Sequence, residues 1–195
     1  MLSYKKSAVE KYFDPLVILL KGVNPNVITL LGSIPPLLFF VFVFFHWYAW
    51  AIIAFCFNFL DFLDGMVARK YHKVTKFGGF LDSTLDRLAD FLMIACFGFA
   101  NIVRFEIIVP ILLFTFLTSY IRARGELANP NVSFAMGLIE RTERLFLIIF
   151  ALIFYLLFPN LFFFNFNAAE QIFIVLLILS LFTVFQRMIF AYKKL

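Results

Sequence analysis

Charge is scarce in this 195-residue chain: 15% of its residues are Asp, Glu, Lys or Arg, where a soluble domain carries about 25%. With 64% hydrophobic residues, 31 phenylalanines and a mean hydropathy of +0.97, that shortage excludes a water-soluble fold. A 22.7 kDa body cannot hide so much apolar surface, so the reading is an integral membrane protein. Cysteine is almost absent. Cys56 and Cys96 both fall within apolar runs and read as small apolar residues, which excludes a disulfide framework or a thiolate metal site. No soluble basic stretch exists to hold nucleic acid, despite a net charge of +5. That charge reads as membrane topology and attraction to anionic headgroups, with an anionic substrate drawing on the remainder. The first twenty residues mix Glu10 and Asp14 with lysines and lack a small-residue cleavage site, so no cleavable signal peptide is expected.

Long apolar runs are abundant. They fall at about 26–46, 48–67, 82–101, 105–121, 144–162 and 168–190, each near the roughly 20 residues that cross the hydrocarbon. The expected fold is therefore all-α, with six transmembrane helices over 21–195 in one domain covering 1–195. A juxtamembrane helix lies within 1–20, amphipathic over 3–17, with Tyr4, Val9 and Phe13 among its lipid contacts. Pro35-Pro36 should bend the first span, and Asn24 or Asn26 should cap it, with Pro25 in its first turn. Gly98 and Ala100 are small enough to permit close helix contact. With six spans, Lys5, Lys6, Lys11, Lys21, the 68–76 basic residues, Arg122, Arg124, Arg141, Arg144, Lys193 and Lys194 share one side, and Arg104 stands alone on the other. The positive-inside rule then places both termini in the cytoplasm.

Against this background four carboxylates stand out. Asp61, Asp64, Asp82 and Asp86 follow one another at intervals of three, eighteen and four residues. Each pair shares a helical face, and the short 68–79 connection makes the two helices antiparallel neighbours. Four like charges at one depth in a poorly polarisable place repel or take up protons unless cations neutralise them. Hard oxygen ligands suit Mg²⁺, Mn²⁺ or Ca²⁺. Histidine is missing nearby except for His72, which reads as a loop residue and argues against zinc. An ion pathway, or salt bridges to Arg69 and Arg87, is the competing reading. Asp90 continues the 82-86-90 face and either supports a ligand or pairs with Arg87. Gly65 and Ala68 leave the Asp64 face open, Arg69 can pair with phosphate, and Gly78-Gly79 could turn backbone N–H groups to an anion. Metal, arginine and an open helix surface together describe a phosphate-ester site.

The string Asp61-x2-Asp64-Gly65-x2-Ala68-Arg69-x8-Gly78-x3-Asp82-x3-Asp86 resembles the signature of the CDP-alcohol phosphatidyltransferase family, and every position of it is met. The resemblance implies that Asp61, Asp64, Asp82 and Asp86 hold two divalent metals, Mg²⁺ or Mn²⁺, with Asp86 also the general base. It implies a CDP pocket shaped by Asp61, Gly65, Ala68, Arg69 and Gly78, with Asn26 and Thr29 of the Asn24-Pro25-Asn26-Val27-Ile28-Thr29 segment helping to wall it. A homodimer with one site per protomer is expected on the same ground. A transporter or channel remains the alternative from another class, but a permeation path has no need of the Gly65/Ala68/Arg69 face.

Arg122-Ala-Arg124-Gly-Glu126 and Glu140-Arg-Thr-Glu-Arg144 cluster more arginine than topology requires, and the guanidinium fork suits phosphate. These strings resemble those of the phosphatidylinositol-phosphate and archaetidylinositol-phosphate synthase branch. That likeness implies that Arg122, Arg124, Arg144 and Arg187 bind inositol phosphate as acceptor, while CDP-archaeol or CDP-diacylglycerol is the donor. A glycerol 3-phosphate acceptor, or CDP-inositol as donor to an inositol phosphate, are the nearest alternatives. The Arg122 position, where the branch commonly has Lys, keeps the charge and changes its geometry.

Overall fold

The computed structural model describes residues 13–161 and 163–195. Residues 13–19 are helical, so the C-terminal end of the expected juxtamembrane helix is seen, whereas Tyr4 and Val9 lie outside the described residues. Phe13 is half-buried and stacks its ring on Phe59 at 5.6 Å.

A 3₁₀ turn at Leu20–Gly22 precedes α1 (Pro25–Gly32) and α2 (Ile34–Phe44). Asn24 caps α1, its side chain accepting from Asn26 N–H at 3.0 Å, and Pro25 occupies the first turn. The helix breaks at Ser33, between α1 and α2, because Pro35 and Pro36 lack the N–H groups that would continue the ladder. Ser33 N–H and Oγ instead both donate to Leu30 O. Next come α3 (Tyr48–Cys56), a 3₁₀ turn at Phe57–Phe59 and α4 (Leu60–Lys70), followed by α5 (Lys76–Phe99), α6 (Phe105–Ala128), α7 (Arg141–Leu157) and α8 (Ala168–Lys194).

Three of these helices close through a left-handed residue that is not glycine. After α2, α4 and α5 the chain turns through His46, His72 and Asn101 at φ of 61°, 54° and 56°. In each case the following N–H reaches back five residues: Trp47 to Phe42 O, Lys73 to Ala68 O, Ile102 to Phe97 O. This is the Schellman closure, usually built on glycine. His72 therefore ends α4, and the chain restarts as α5 four residues later.

The expectation of six membrane spans is corrected to four. Among the described residues, helices long and apolar enough to cross are Pro25–Phe44 (α1 and α2), Tyr48–Lys70 (α3 through α4), Phe105–Ala128 and Ala168–Lys194. The run at 82–101 fails because every 18-residue stretch of α5 contains Asp82, Asp86, Arg87 and Asp90. The run at 144–162 fails because α7 has 17 residues and ends at Leu157, ahead of Pro159. The chain remains a multi-pass membrane protein whose exposed apolar residues, such as Phe146, Val175 and Phe182, suit contact with lipid.

The chain forms two compact units. Among the described residues, the first comprises 13–39 and 49–92. Here α1 packs on α4, and Val17, Ile28, Leu63, Met66 and Val67 form a buried cluster flanked by Phe13, Leu20 and Tyr71. A Cβ at Gly32 would stand 3.3 Å from Asp61 Cα, so the missing side chain lets the end of α1 touch the start of α4. Lys70 Nζ meets Asp14 at 2.7 Å, and Lys73 Nζ donates to Lys21 O at 2.7 Å.

The second unit comprises 40–48 and 93–195. In it α8 packs on both α6 and α7, with Phe97 and Phe173 rings 4.7 Å apart in the core. Gly98 faces the Phe105 ring of its own chain. Asn167 caps α8 and Glu170 returns a bond to Asn167 N–H at 3.0 Å. The buried Glu170 carboxylate also accepts from Arg104 Nε at 2.7 Å, and that bond raises the Arg104 guanidinium further above its usual value.

Candidate metal centre and anion sites

In the first unit, Asp61 opens α4, while Asp82 and Asp86 lie one turn apart on α5. Each offers a carboxylate oxygen, and the three oxygens lie within 4.8 Å of one another. All three residues are half-buried. Three carboxylates this close repel in the absence of a cation. The donor set is purely hard oxygen, with neither nitrogen nor sulfur, and fits a divalent ion of the Mg²⁺ or Mn²⁺ kind.

Asp64, expected in the same ligand set, is not in this trio. It is buried on α4, where its Oδ2 accepts from Thr29 Oγ1 at 2.5 Å and its Oδ1 from Gly65 N–H. Thr29 Oγ1 also lies 3.0 Å from Pro25 O. Thr29 ties the Asp64 carboxylate to α1, and Asp64 still lies within electrostatic reach of Asp61 and Asp82.

A cavity of about 260 Å³ adjoins these groups. Of the residues expected to shape a nucleotide pocket, Asn26, Thr29, Gly65, Ala68, Arg69 and Gly78 all line it, and Asp61 does not. Asp64 and Asp82 complete its acidic wall. The Arg69 guanidinium lies over Gly65, where a Cβ would come within 2.9 Å of Nη1. Pro25, Lys73, Val74, Thr75 and Gly79 line the cavity too; no sequence signal singled out Val74 or Thr75, and Lys73 stood out only as one of the basic residues of the 68–76 connection. The idea that Gly78 and Gly79 offer N–H groups to an anion is corrected. Gly78 N–H donates to Thr75 Oγ1 at 2.9 Å and Gly79 N–H to Thr75 O at 3.2 Å, because Thr75 caps α5. Arg87 Nη1 reaches Asp86 Oδ2 at 3.5 Å and Ser83 O at 3.0 Å, and Asp90 is buried deeper on α5.

The second unit carries the arginines. Arg122 and Arg124 are exposed near the end of α6, and Arg122 Nε donates to Glu126 Oε1 at 3.0 Å. Arg144, in the first turns of α7, and Arg187, on α8, are more than nine-tenths buried. Arg187 Nε donates to Met136 O at 2.7 Å and Nη1 to Thr118 O at 2.5 Å. Arg122, Arg144, Glu126 and Glu140 all lie within electrostatic reach of Arg187. Arg144 and Arg187 are the buried members of this group, Arg122 is exposed at its edge, and the two glutamates offset part of its charge.

Comparison with known proteins adds to this geometry. A family model described as CDP-alcohol phosphatidyltransferase matches residues 22–186. The archaetidylinositol phosphate synthase of Pyrococcus horikoshii is 36% identical over 175 residues, which cover 89% of this chain and 86% of that protein. Its counterpart from Methanothermobacter thermautotrophicus is 38% identical over 142 residues, 71% of this chain and 67% of the relative. The crystal structure of Mycobacterium tuberculosis phosphatidylinositol phosphate synthase with CDP-DAG bound superposes with a TM-score of 0.76, covering 91% of this chain and 92% of that one, at 24% identity, a likeness of fold. The same enzyme in complex with manganese and citrate gives a TM-score of 0.70 at 25% identity, covering 91% and 88%.

Proposed function

The chain belongs to the CDP-alcohol phosphatidyltransferase family, and on that footing we propose that it transfers the phosphatidyl or archaetidyl group of a CDP-linked lipid to inositol phosphate, releasing CMP. The observation that carries the reading is the position of Asp82. It belongs both to the three-carboxylate cluster and to the wall of the cavity that the signature residues line. A metal-dependent transferase needs its cation beside the phosphate it acts on. The relatives named as archaetidylinositol and phosphatidylinositol phosphate synthases support inositol phosphate as acceptor, as does the arginine cluster.

In the proposed reaction an inositol hydroxyl oxygen bonds to the β-phosphorus of the CDP-lipid. The bond from that phosphorus to the CMP oxygen breaks, and CMP leaves with the electron pair. Arg69 steadies the pyrophosphate at the cavity mouth, and Asn26, Thr29, Gly65, Ala68 and Gly78 shape the nucleotide's seat. Asp86 takes the hydroxyl proton. Arg122, Arg124, Arg144 and Arg187 hold the acceptor's phosphate. Two divalent cations, Mg²⁺ or Mn²⁺, held by Asp61, Asp64, Asp82 and Asp86, would neutralise the pyrophosphate and the departing oxygen. The protein works as a homodimer in the cell membrane with both termini and its active site on the cytoplasmic side. Lysines crowd both ends of the chain, which supports that orientation.

The test is CMP release by purified protein in lipid. It should require Mg²⁺ or Mn²⁺, a CDP-lipid and inositol phosphate together. Turnover with glycerol 3-phosphate and none with inositol phosphate would overturn the acceptor and leave the family intact.

A further inference from the structure

The connection between α6 and α7 ends in a segment tied, residue by residue, to the last helix. Met136 O accepts from Arg187 Nε at 2.7 Å. Leu138 N–H donates to Gln186 Oε1 at 3.0 Å, and Ile139 N–H donates to Thr183 Oγ1 at 3.2 Å. Between them Gly137 adopts φ 146°, and a Cβ there would run into the Thr183 methyl group. Only glycine meets both demands. Further upstream, the fully buried Phe134 ring lies against Gly125 and edge-on to Phe190 at 5.3 Å, while its N–H donates to Glu126 Oε1 at 3.3 Å.

Thr183 is the centre of this seam. It has no exposed surface. Its hydroxyl lies 2.8 Å from Leu179 O, to which it donates, and so keeps a lone pair for Ile139 N–H. The next residue, Glu140, is the N-cap of α7, closed by a capping box with Glu143. Arg144 follows one turn later and is 4% exposed. The point at which α7 begins, and hence where the Arg144 side chain emerges, is set by what holds Ile139.

We propose that Thr183 is a positioning residue for acceptor binding: its hydroxyl fixes the start of α7 and thereby the Arg144 guanidinium. The inference rests on the reading of Arg144 as an acceptor contact. Gln186 supports the same seam at Leu138 and acts in the same direction.

The experiment compares full-length Thr183→Val, Thr183→Ser and Arg144→Ala for KM of inositol phosphate, KM of CDP-lipid, kcat and thermal stability. Valine keeps the methyl packed on Gly137 and removes the hydroxyl; serine keeps the hydroxyl. Thr183→Val should raise the inositol phosphate KM on the order of tenfold through loss of a buried hydrogen bond, with the CDP-lipid KM unchanged, and Thr183→Ser should stay near wild type. Equal rises in both KM values, no change in either, or a serine variant as impaired as valine would overturn the proposal. An Arg144→Ala protein with unchanged acceptor KM would remove the reading on which it rests and the proposal with it. A raised KM in Arg144→Ala beside a normal Thr183→Val would overturn the positioning role alone. If Thr183→Val does not fold, Gln186→Met against Gln186→Glu gives the same comparison. Methionine must raise the acceptor KM and glutamate, which keeps an acceptor for Leu138 N–H, must restore it.

Discussion

Thr29 Oγ1 lies 2.5 Å from Asp64 Oδ2, a hydrogen bond that joins two buried side chains 35 residues apart in sequence. A carboxylate at this depth needs donors, and Thr29 and Gly65 N–H each supply one. Thr29→Val keeps the shape and removes the donor. It should destabilise the protein by about 1–3 kcal/mol and cut turnover, while Thr29→Ser retains both. Thermal melts in detergent beside CMP-release assays would check this. An active valine variant of normal stability would mean that Asp64 has no need of the bond.

Chelation should abolish CMP release, and Mg²⁺ or Mn²⁺ should restore it, because Asp61, Asp82 and Asp86 offer only hard oxygen. Mn²⁺ should also raise the melting temperature of the wild type, since an ion that binds only the folded state stabilises it. Asp82→Asn should lose that shift and nearly all turnover while remaining folded. A Mn²⁺-induced shift of undiminished size in Asp82→Asn would place the ion elsewhere.

Gly65→Ala separates stability from activity. The added methyl would stand 2.9 Å from Arg69 Nη1, the far end of a flexible side chain that can move away. In a helix, alanine is favoured over glycine by about 0.5–1 kcal/mol. The variant should melt no lower than wild type, yet show a CDP-lipid KM higher by roughly tenfold if a charge-assisted contact to the pyrophosphate weakens. Unchanged KM would remove Arg69 from the donor site.

Arg144→Ala should raise the inositol phosphate KM far more than the CDP-lipid KM. A lost charge-assisted hydrogen bond costs about 1.5–3 kcal/mol, on the order of 10- to 150-fold. Equal effects on both substrates would place Arg144 in the wrong pocket.

Much of the first unit was readable from the chain itself. The i,i+4 spacing of Asp82 and Asp86 and the short return from α4 do bring Asp61 alongside them, and Asn24-Pro25 does open α1. What escaped were hydrogen-bond partners remote in sequence: Thr29 for Asp64, and for Arg187 the carbonyls of Thr118 and Met136, 69 and 51 residues away. Helix ends at His46, His72 and Asn101 carry no glycine to announce them. The count of spans failed for a different reason. Hydropathy runs pass over the four charges that interrupt α5, and they continued through residues 158–162, beyond the end of α7 at Leu157.

The seam at 136–139 also has a bearing on biosynthesis. Its three anchors, Thr183, Gln186 and Arg187, lie 44 to 51 residues downstream of the backbone groups they hold. A chain emerging from the ribosome reaches those anchors only after the whole of α7 has been made. The turn into α7 cannot settle until α8 has been made and inserted, whereas the α1–α4 packing joins residues completed long before. Assembly therefore proceeds from the aspartate-bearing unit towards the arginines, and a nascent protein stalled before residue 183 would have its aspartate cluster in place while the start of α7 and Arg144 were still without a frame.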